Sequence, residues 1–436
     1  MPLIHKQLAL AITLALGLIG AQYAQARADS DPDSEWLERV PVNSGKSEFE
    51  PAIPTPEDFY FSDHATSRNG RSIARMLDSA VDALMASDDL SEWDKDRLDR
   101  YGLYLSTLEP GRIGAVLEQL AGSQNANLGS ATQNSMKPLN ASLLSAIRQL
   151  DKDTADTGRV WFQGLGNSGR LDAQHGSAGL NQRSQGLLLG ADWSLDHAWR
   201  AGVVGGKSSS ALNAKGFKGE LDSWHLGAYA ARLDGPLALR LGALYSSHAG
   251  KNRRTVDFDF IDHRENLTGK YTAQSQNAFA ELGYQLGTAG LHLEPYAGVG
   301  VQRYQRDRFQ EKGGYSALNV GAQRQQNLSS TFGLRVAHAF ALDNRMSLKP
   351  HLSADWKHLY GDVTSRVRQS SAWERRADFN SDFTIEGTSL DRNSLALRTG
   401  LDLALSAEHS VGLTYTAEFG SQSRNQGLVG QWAMAF

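Results

Sequence analysis

From Gly158 to Phe436, apolar side chains recur at every second position. The stretch "VGLTYTAEF" puts Val411, Leu413, Tyr415, Ala417 and Phe419 on one face and Gly412, Thr414, Thr416 and Glu418 on the other. "LALRTGLDLAL" and "LHLEPYAGVGV" repeat the alternation, and "QGLVGQWAMAF" carries it through Leu428, Trp432, Met434 and Phe436. A period of two is that of a β-strand with one apolar face. Twelve such segments are predicted, at 159–166, 185–194, 198–207, 220–233, 236–249, 271–287, 290–305, 325–341, 344–360, 391–405, 409–420 and 425–436. At about 3.3 Å per residue they run roughly 30–50 Å, long for soluble sheets and sufficient, when tilted, to cross an apolar band of about 25 Å.

Their connections alternate in length. "SLDH", "LDG", "TAG", "LDN" and "SAEH" are tight, whereas 251–270 and 361–390 are long. Tight turns on one rim and long loops on the other are the signature of an outer-membrane barrel. The predicted fold is therefore an all-β transmembrane barrel, 12-stranded, antiparallel and up-and-down, occupying 157–436. Trp193, Trp199, Trp224, Tyr245, Tyr284, Tyr360 and Trp432 fall on the outward set near strand ends, where interface girdles form. Gly190, Gly202, Gly227, Gly242, Gly283, Gly333, Gly400 and Gly412 fall on the inward set. Glycine inside a strand marks close approach of another group, so a bulky occupant of the lumen is expected.

Upstream the period changes. "RSIARMLDSAVDALMA" spaces Ile73, Leu77, Val81 and Leu84 as a helix does, and 67–136 reads as a helical linker. In "KPLNASLLSAIRQLDKD", Pro138 sits at a plausible first turn, and Leu139, Leu143, Ile147 and Leu150 form one stripe. This helix, 137–152, rises about 22 Å and is the natural occupant of the pore. Arg148, Glu281, Arg335, Arg398, Asp402 and Glu418 are then lumen charges, available to pair with one another or with Lys152. Residues 29–66 are acidic, contain proline and have no period, so an extended or disordered segment is expected there.

The first 28 residues join a short basic start to an apolar run and end in Ala24-Gln25-Ala26 and Ala26-Arg27-Ala28. Small residues at these spacings make Ala26 and Ala28 the expected cleavage positions of a secretory signal. Net charge of −4 gives no basis for a nucleic-acid partner, and the chain has no cysteine.

Chemical motifs fail on context. "AGVVGGKSS" approximates a phosphate loop, yet a strand, not a helix, follows it. "GLGNSG" around Ser168 lacks the strand–turn–helix of a nucleophile elbow. The histidines show no metal-binding spacing. His351 and Ser353 alternate in one strand but point inward, away from where an outer-wall hydrolase needs its Ser–His pair. No enzyme activity and no cofactor are expected.

With Val160-Trp161-Phe162, "GLLLGADW", "WHLGAYAA", the linker "LYLSTLEPGRIGAVLEQLAGSQNANL" and terminal Phe436, residues 68–436 resemble the translocator part of the type V autotransporter family. The resemblance implies a monomeric outer-membrane barrel that meets periplasmic chaperones during biogenesis. Barrel assembly machinery would recognise it through Leu428, Trp432, Met434 and Phe436. The barrel would translocate or display its own N-terminal segment, here about 40 residues between the signal and the helices. Asn125, Asn127 and Asn134 lie upstream of the expected pore helix and Asn140 within it. None is paired with a second asparagine, so uncleaved display is expected. Two other readings remain: a pore or uptake channel with a periplasmic helical plug, and an adhesin acting through its long loops.

Overall fold

The alternation of the sequence becomes an inside and an outside. In the computed structural model, which describes residues 59–86, 92, 95, 102, 105–150, 158–258, 263–288, 290–342, 346–372 and 381–436, twelve antiparallel strands close into a barrel. They are β1 Gly158–Leu171, β2 Leu180–Ser194, β3 Trp199–Ala214, β4 Phe217–Asp234, β5 Leu237–Phe258, β6 His263–Tyr284, β7 Leu291–Arg306, β8 Gln323–His338, β9 Ser347–Gly361, β10 Asn393–Ala404, β11 His409–Gly420 and β12 Ser423–Ala435. Each pairs with its sequence neighbour, and β12 pairs with β1 from Arg159↔Ala435 to Leu171↔Ser423. Closure removes the free edges that an open sheet leaves to aggregation. Phe436 completes the seam by exchanging backbone hydrogen bonds of 2.9 and 3.0 Å with Gly158.

Leu187, Leu226, Val299, Phe332 and Leu413 stand on the outer wall, each more than half exposed. A band of this kind needs lipid, not water, against it. Trp193, Tyr284 and Trp432 edge it near the short turns, Tyr360 lies at the long-loop end of β9, and Trp224 and Tyr245 lie partway along β4 and β5. No helix among the described residues is long and apolar enough to cross a membrane; the strands do that.

Several boundaries move. Strands β5 and β6 have 22 residues each and stay paired from Leu237↔Tyr284 to Phe258↔His263, so most of the expected 251–270 loop is a hairpin. Its outward residues Lys251, Arg253, Thr255 and Asp257 are polar because that wall stands clear of lipid. Its inward residues Asn252 and Arg254 are polar because they bind lumen contents. Polar outside and partly apolar inside, where Val256 and Phe258 are buried, the ribbon reverses the apolar-out pattern of the lipid-facing strands. The β3–β4 connection likewise shrinks to a turn at Lys215-Gly216, where Gly216 has φ of 66°. Within the remaining long loops, Phe309–Gln310, Leu318–Val320, Arg366–Ser371 and Phe383–Glu386 form a small four-stranded sheet.

Helices α1 Arg68–Met85, α2 Pro110–Ala121 and α3 Gln124–Arg148 precede the barrel. Helix α3 starts 13 residues before the expected Lys137 and carries Pro138 in its interior. At 25 residues it spans about 37 Å. Its first half is polar on every side and buried on every side, so no amphipathic stripe announced it. Order also begins before residue 67. Phe61 is buried in a short 3₁₀ turn, and the N–H groups of Phe61 and Ser62 donate to Asp78 at 2.7 and 3.1 Å.

Helices α1 and α2 sit on the long-loop rim. Asn69 of α1 and Glu386 exchange two hydrogen bonds, of 2.7 and 2.8 Å. Arg254 of β5 donates to the Gln119 carbonyl of α2 at 2.8 Å. One apolar cluster, including Ile73, Leu77, Ile113, Leu117 and Leu120 with Leu212, Phe217, Val256 and Phe258 of the wall, seals this end. A second runs down the lumen, where Leu139, Leu143 and Ile147 pack against Trp161, Leu165, Leu188 and Leu244.

The inward glycines are explained differently from the expectation. Opposite Gly190 stands Trp161, opposite Gly202 stands Tyr229, opposite Gly242 stands Phe279 and opposite Gly333 stands Tyr296. A side-chain carbon on each glycine would collide with the facing ring. The rings lie flat on the wall over the glycines, the cross-strand pairing known as aromatic rescue, and this clears room for α3.

Candidate functional site

The site is the lumen with its helix. At the outer end, α3 is bound by side-chain amides. Asn125 donates to Glu311 at 3.1 Å and Gln369 at 3.0 Å and accepts from Asn252 at 2.9 Å. Asn127 donates to Ser177 at 2.7 Å and accepts from the Thr388 N–H at 2.6 Å. Ser130 donates to the Thr388 carbonyl at 2.7 Å, and Gln133 donates to Gln325 at 2.6 Å. The helix thus holds the β1–β2, β7–β8 and β9–β10 loops over itself. Buried amides are costly unless satisfied, and here the loops satisfy those of Asn125 and Asn127.

Farther in, Lys137 of α3 pairs with Glu418 at 2.8 Å. At the short-turn end, Arg148 pairs with Glu281, its Nε donating at 3.0 Å. Glu281 also receives Arg240 at 3.2 Å and faces Arg335 at 3.6 Å. Arg240 and Arg335 reach on to Glu294 at 2.5 and 3.1 Å. Between Arg148 and Arg335 lies the Tyr296 ring, 4.9 and 5.0 Å from the two guanidinium carbons. Asp402 accepts from Gln149 at 3.0 Å and Gln431 at 2.9 Å, with His351 at 3.5 Å. Arg398 pairs with Asp355, which also accepts from the Tyr296 hydroxyl at 3.0 Å.

The six charges singled out in the sequence therefore all face the lumen. Arg148, Glu281 and Arg335 share one network, while Glu418, Asp402 and Arg398 hold separate partners. Lys152, Ala26 and Ala28 lie outside the described residues. Leu428, Trp432, Met434 and Phe436 share the outward face of β12. Ser353 is buried on the inner face and His351 sits on the same face beside Asp402, so no Ser–His pair reaches the outer wall.

A second buried centre was missed. Asp192 is fully buried between Arg159 at 2.8 Å and Arg200 at 3.2 Å and accepts from the Tyr229 hydroxyl at 2.8 Å. Trp161 donates to that hydroxyl at 2.6 Å. Arg159 also donates to the Ala146 carbonyl of α3 at 3.0 Å, fastening the C-terminal end of the helix to β1. The signal was available, since the register that puts Gly190 inside puts Asp192 there too. Gly242 gives Arg240 in the same way.

Helix α3 leans on the β1–β5 wall. Opposite it, toward β8–β12, a cavity of about 430 Å³ remains beside Arg335, His351, Arg398 and Asp402. Of these, Asp402 holds the end of the helix through Gln149.

At the outer rim Glu386 joins the cap to the loops, pairing with Arg68 of α1 at 2.7 Å and Arg366 at 2.9 Å. Partial burial alone raises the Glu386 carboxyl, but the hydrogen bonds from Arg366 and Arg68 outweigh it and hold the group below the ordinary glutamate value. Such a carboxylate contributes its full stabilisation above its unfolded value of about 4.3, and the contribution disappears as pH falls through the lower folded value. Asp78, raised by burial despite its backbone hydrogen bonds, acts in the opposite sense. Amide-exchange protection at the start of α1 is expected to drop below about pH 4 in the native protein. In Glu386→Gln it should be low already at neutral pH. Identical pH profiles for the two proteins would rule the clamp out.

A closed barrel with an apolar outer wall, its lumen occupied by a helix that leads into the first strand, defines an outer-membrane translocator. The autotransporter β-domain model matches residues 160–416, more than half of the chain, and the chain belongs to that family. Among solved structures it is similar to the translocator domain of autotransporter NalP from Neisseria meningitidis. That match has a TM-score of 0.56 and 16% identity, and covers 72% of this chain and 99% of that one. It is also 26% identical over 337 residues to an extracellular serine protease of Serratia marcescens, covering 75% of this chain and 31% of the relative. Esterase EstA of Pseudomonas aeruginosa is 23% identical over 284 residues, covering 62% of this chain and 42% of the relative. The chain thus spans less than half the length of either relative. The barrel is an autotransporter translocator of the bacterial outer membrane.

Proposed function

We propose that this barrel carries the chain upstream of α1 through its own lumen to the cell surface and afterwards keeps α3 as a plug. The observation that supports this is the path of the chain. Helices α1 and α2 pack on the long-loop rim, α3 runs from there through the lumen, and β1 begins at the short-turn rim. Long loops face the exterior in outer-membrane barrels and short turns face the periplasm. A plug folded on the periplasmic side does not fit this order of elements.

In this reading the barrel itself performs no bond chemistry and remains a monomer. It is inserted by the barrel assembly machinery, delivered by periplasmic chaperones, and read through the outward row Leu428, Trp432, Met434 and Phe436. The segment before α1 stays covalently attached.

An epitope tag placed after Ser44 tests the topology. Protease added to intact cells is expected to remove the tag while the barrel survives. A tag protected until the outer membrane is broken would place the segment in the periplasm and overturn the proposal.

A further inference from the structure

The outer wall is not uniform around the barrel. Where β12, β1 and β2 meet, just beyond the apolar band, a groove of about 580 Å³ opens sideways on the wall. Three arginines on three adjacent strands line it: Arg424, Arg170 and Arg183. Arg424 lies directly opposite Arg170, and Arg183 is opposite Ser168, one outward step from Arg170. Like charges directly opposite one another in a sheet are destabilising. Relief from acids is slight. Arg170 stands 3.6 Å from Asp172, both well exposed, and neither Arg183 nor Arg424 makes an ion pair with another described residue.

The other border of the groove is aromatic. Phe419 stands opposite Arg424 and is 47% exposed, and Tyr415 stands opposite Leu428. Along β12 the outward row continues from Arg424 through Gln426 to Leu428, so the cationic groove runs without a break into the lipid-facing wall.

We propose that this seam groove binds the phosphorylated headgroup of a lipid in the leaflet at the long-loop side. The guanidinium forks of Arg170, Arg183 and Arg424 would hold the phosphate oxygens, and the acyl chains would lie on the Leu428 and Tyr415 surface below. Arginine suits the task because its planar fork meets two phosphate oxygens at once. A bound phosphate also supplies the anion that Arg424 lacks opposite Arg170. A lipid is the occupant that matches both halves of the groove, since a soluble anion has no use for its aromatic border. The site would clip the barrel at its β12–β1 closure to the surrounding leaflet.

The test uses the full-length barrel in detergent micelles doped with bis-phosphorylated lipid A or its dephosphorylated form, read by native mass spectrometry. The native protein should retain one phosphorylated lipid, and at least about tenfold less of the dephosphorylated one. The triple variant Arg170→Gln, Arg183→Gln, Arg424→Gln should lose the phosphorylated lipid to the same extent. A control triple at Lys251, Arg253 and Lys270, basic residues elsewhere on the same outer wall, should retain it. Heat-modifiable migration verifies folding, and the two-lipid comparison on the native protein decides the matter even if the variant fails to assemble. Equal retention of both lipids, or of the phosphorylated lipid by both triples, overturns the proposal. So does inorganic phosphate that binds equally well in the absence of lipid, which would assign the groove to a soluble anion.

Discussion

Planar bilayers carrying the Glu281→Gln barrel are expected to show frequent channel openings where the native barrel is nearly silent. Glu281 is buried among three guanidinium groups, Arg148 from the helix and Arg240 and Arg335 from the wall. The substitution keeps the shape and removes one charge, leaving Glu294 alone against three cations. Removing one partner from a buried ion pair costs about 3–5 kcal/mol, because the surviving charge remains desolvated. The wall cannot relieve this by moving, since β5, β6 and β8 are held by continuous backbone ladders. Helix α3 can, by withdrawing Arg148. The strain should therefore appear as plug mobility rather than barrel unfolding. Arg148→Gln, which leaves Glu281 with two wall arginines, should have a weaker effect. A Glu281→Gln barrel that is as silent as the native one, and as resistant to urea, would show that the network does not latch the helix.

Asp192→Asn is expected to act on the barrel itself. Asp192 is the single carboxylate between Arg159 and Arg200 and also accepts from Tyr229. Asparagine would leave two buried guanidinium groups without an anion, a loss of about 3–5 kcal/mol by the same reasoning. Here both cations belong to the wall, on β1 and β3, so no helix movement separates them. The expected result is a smaller fraction of heat-modifiable, folded barrel after refolding into detergent, with an unfolding midpoint moved to lower urea. Conductance of the molecules that do fold should rise only as far as the bond from Arg159 to Ala146 weakens. Normal refolding yield in Asp192→Asn would remove this cluster from any account of barrel stability.

These two centres differ in how visible they were. Arg148 and Glu281 could be picked from the chain because one lay on the expected pore helix and the other on an inward register. Asp192 obeyed the same register, fixed by Gly190, and was overlooked inside an otherwise apolar run. Asn125, Asn127, Ser130 and Gln133 were beyond reach. Their segment was read as helical linker, but polar groups on every side give no face to place in the lumen, and the partners Glu311, Gln369 and Thr388 are far away in sequence. The β5–β6 hairpin above the membrane was hidden because its wall is polar outside and partly apolar inside, the reverse of a lipid-facing strand. The inward glycines were legible as sites of close approach, but their partners were not. Aromatic rings on the neighbouring strands fill Gly190, Gly202, Gly242 and Gly333, and that follows from register.

By itself the sequence determined the twelve-fold alternation, the two rims and the outward row that ends at Phe436. Each of these depends on the two-residue period of a strand and on the contrast between lipid and water, and both are written locally. Only the tertiary structure decided how deep α3 reaches, which charges meet around it and how the loops close over its amides. It also decided that three arginines share one groove at the seam. Those arrangements depend on which strand lies beside which and in what register. Closure of the barrel sets that register, and no single segment carries it.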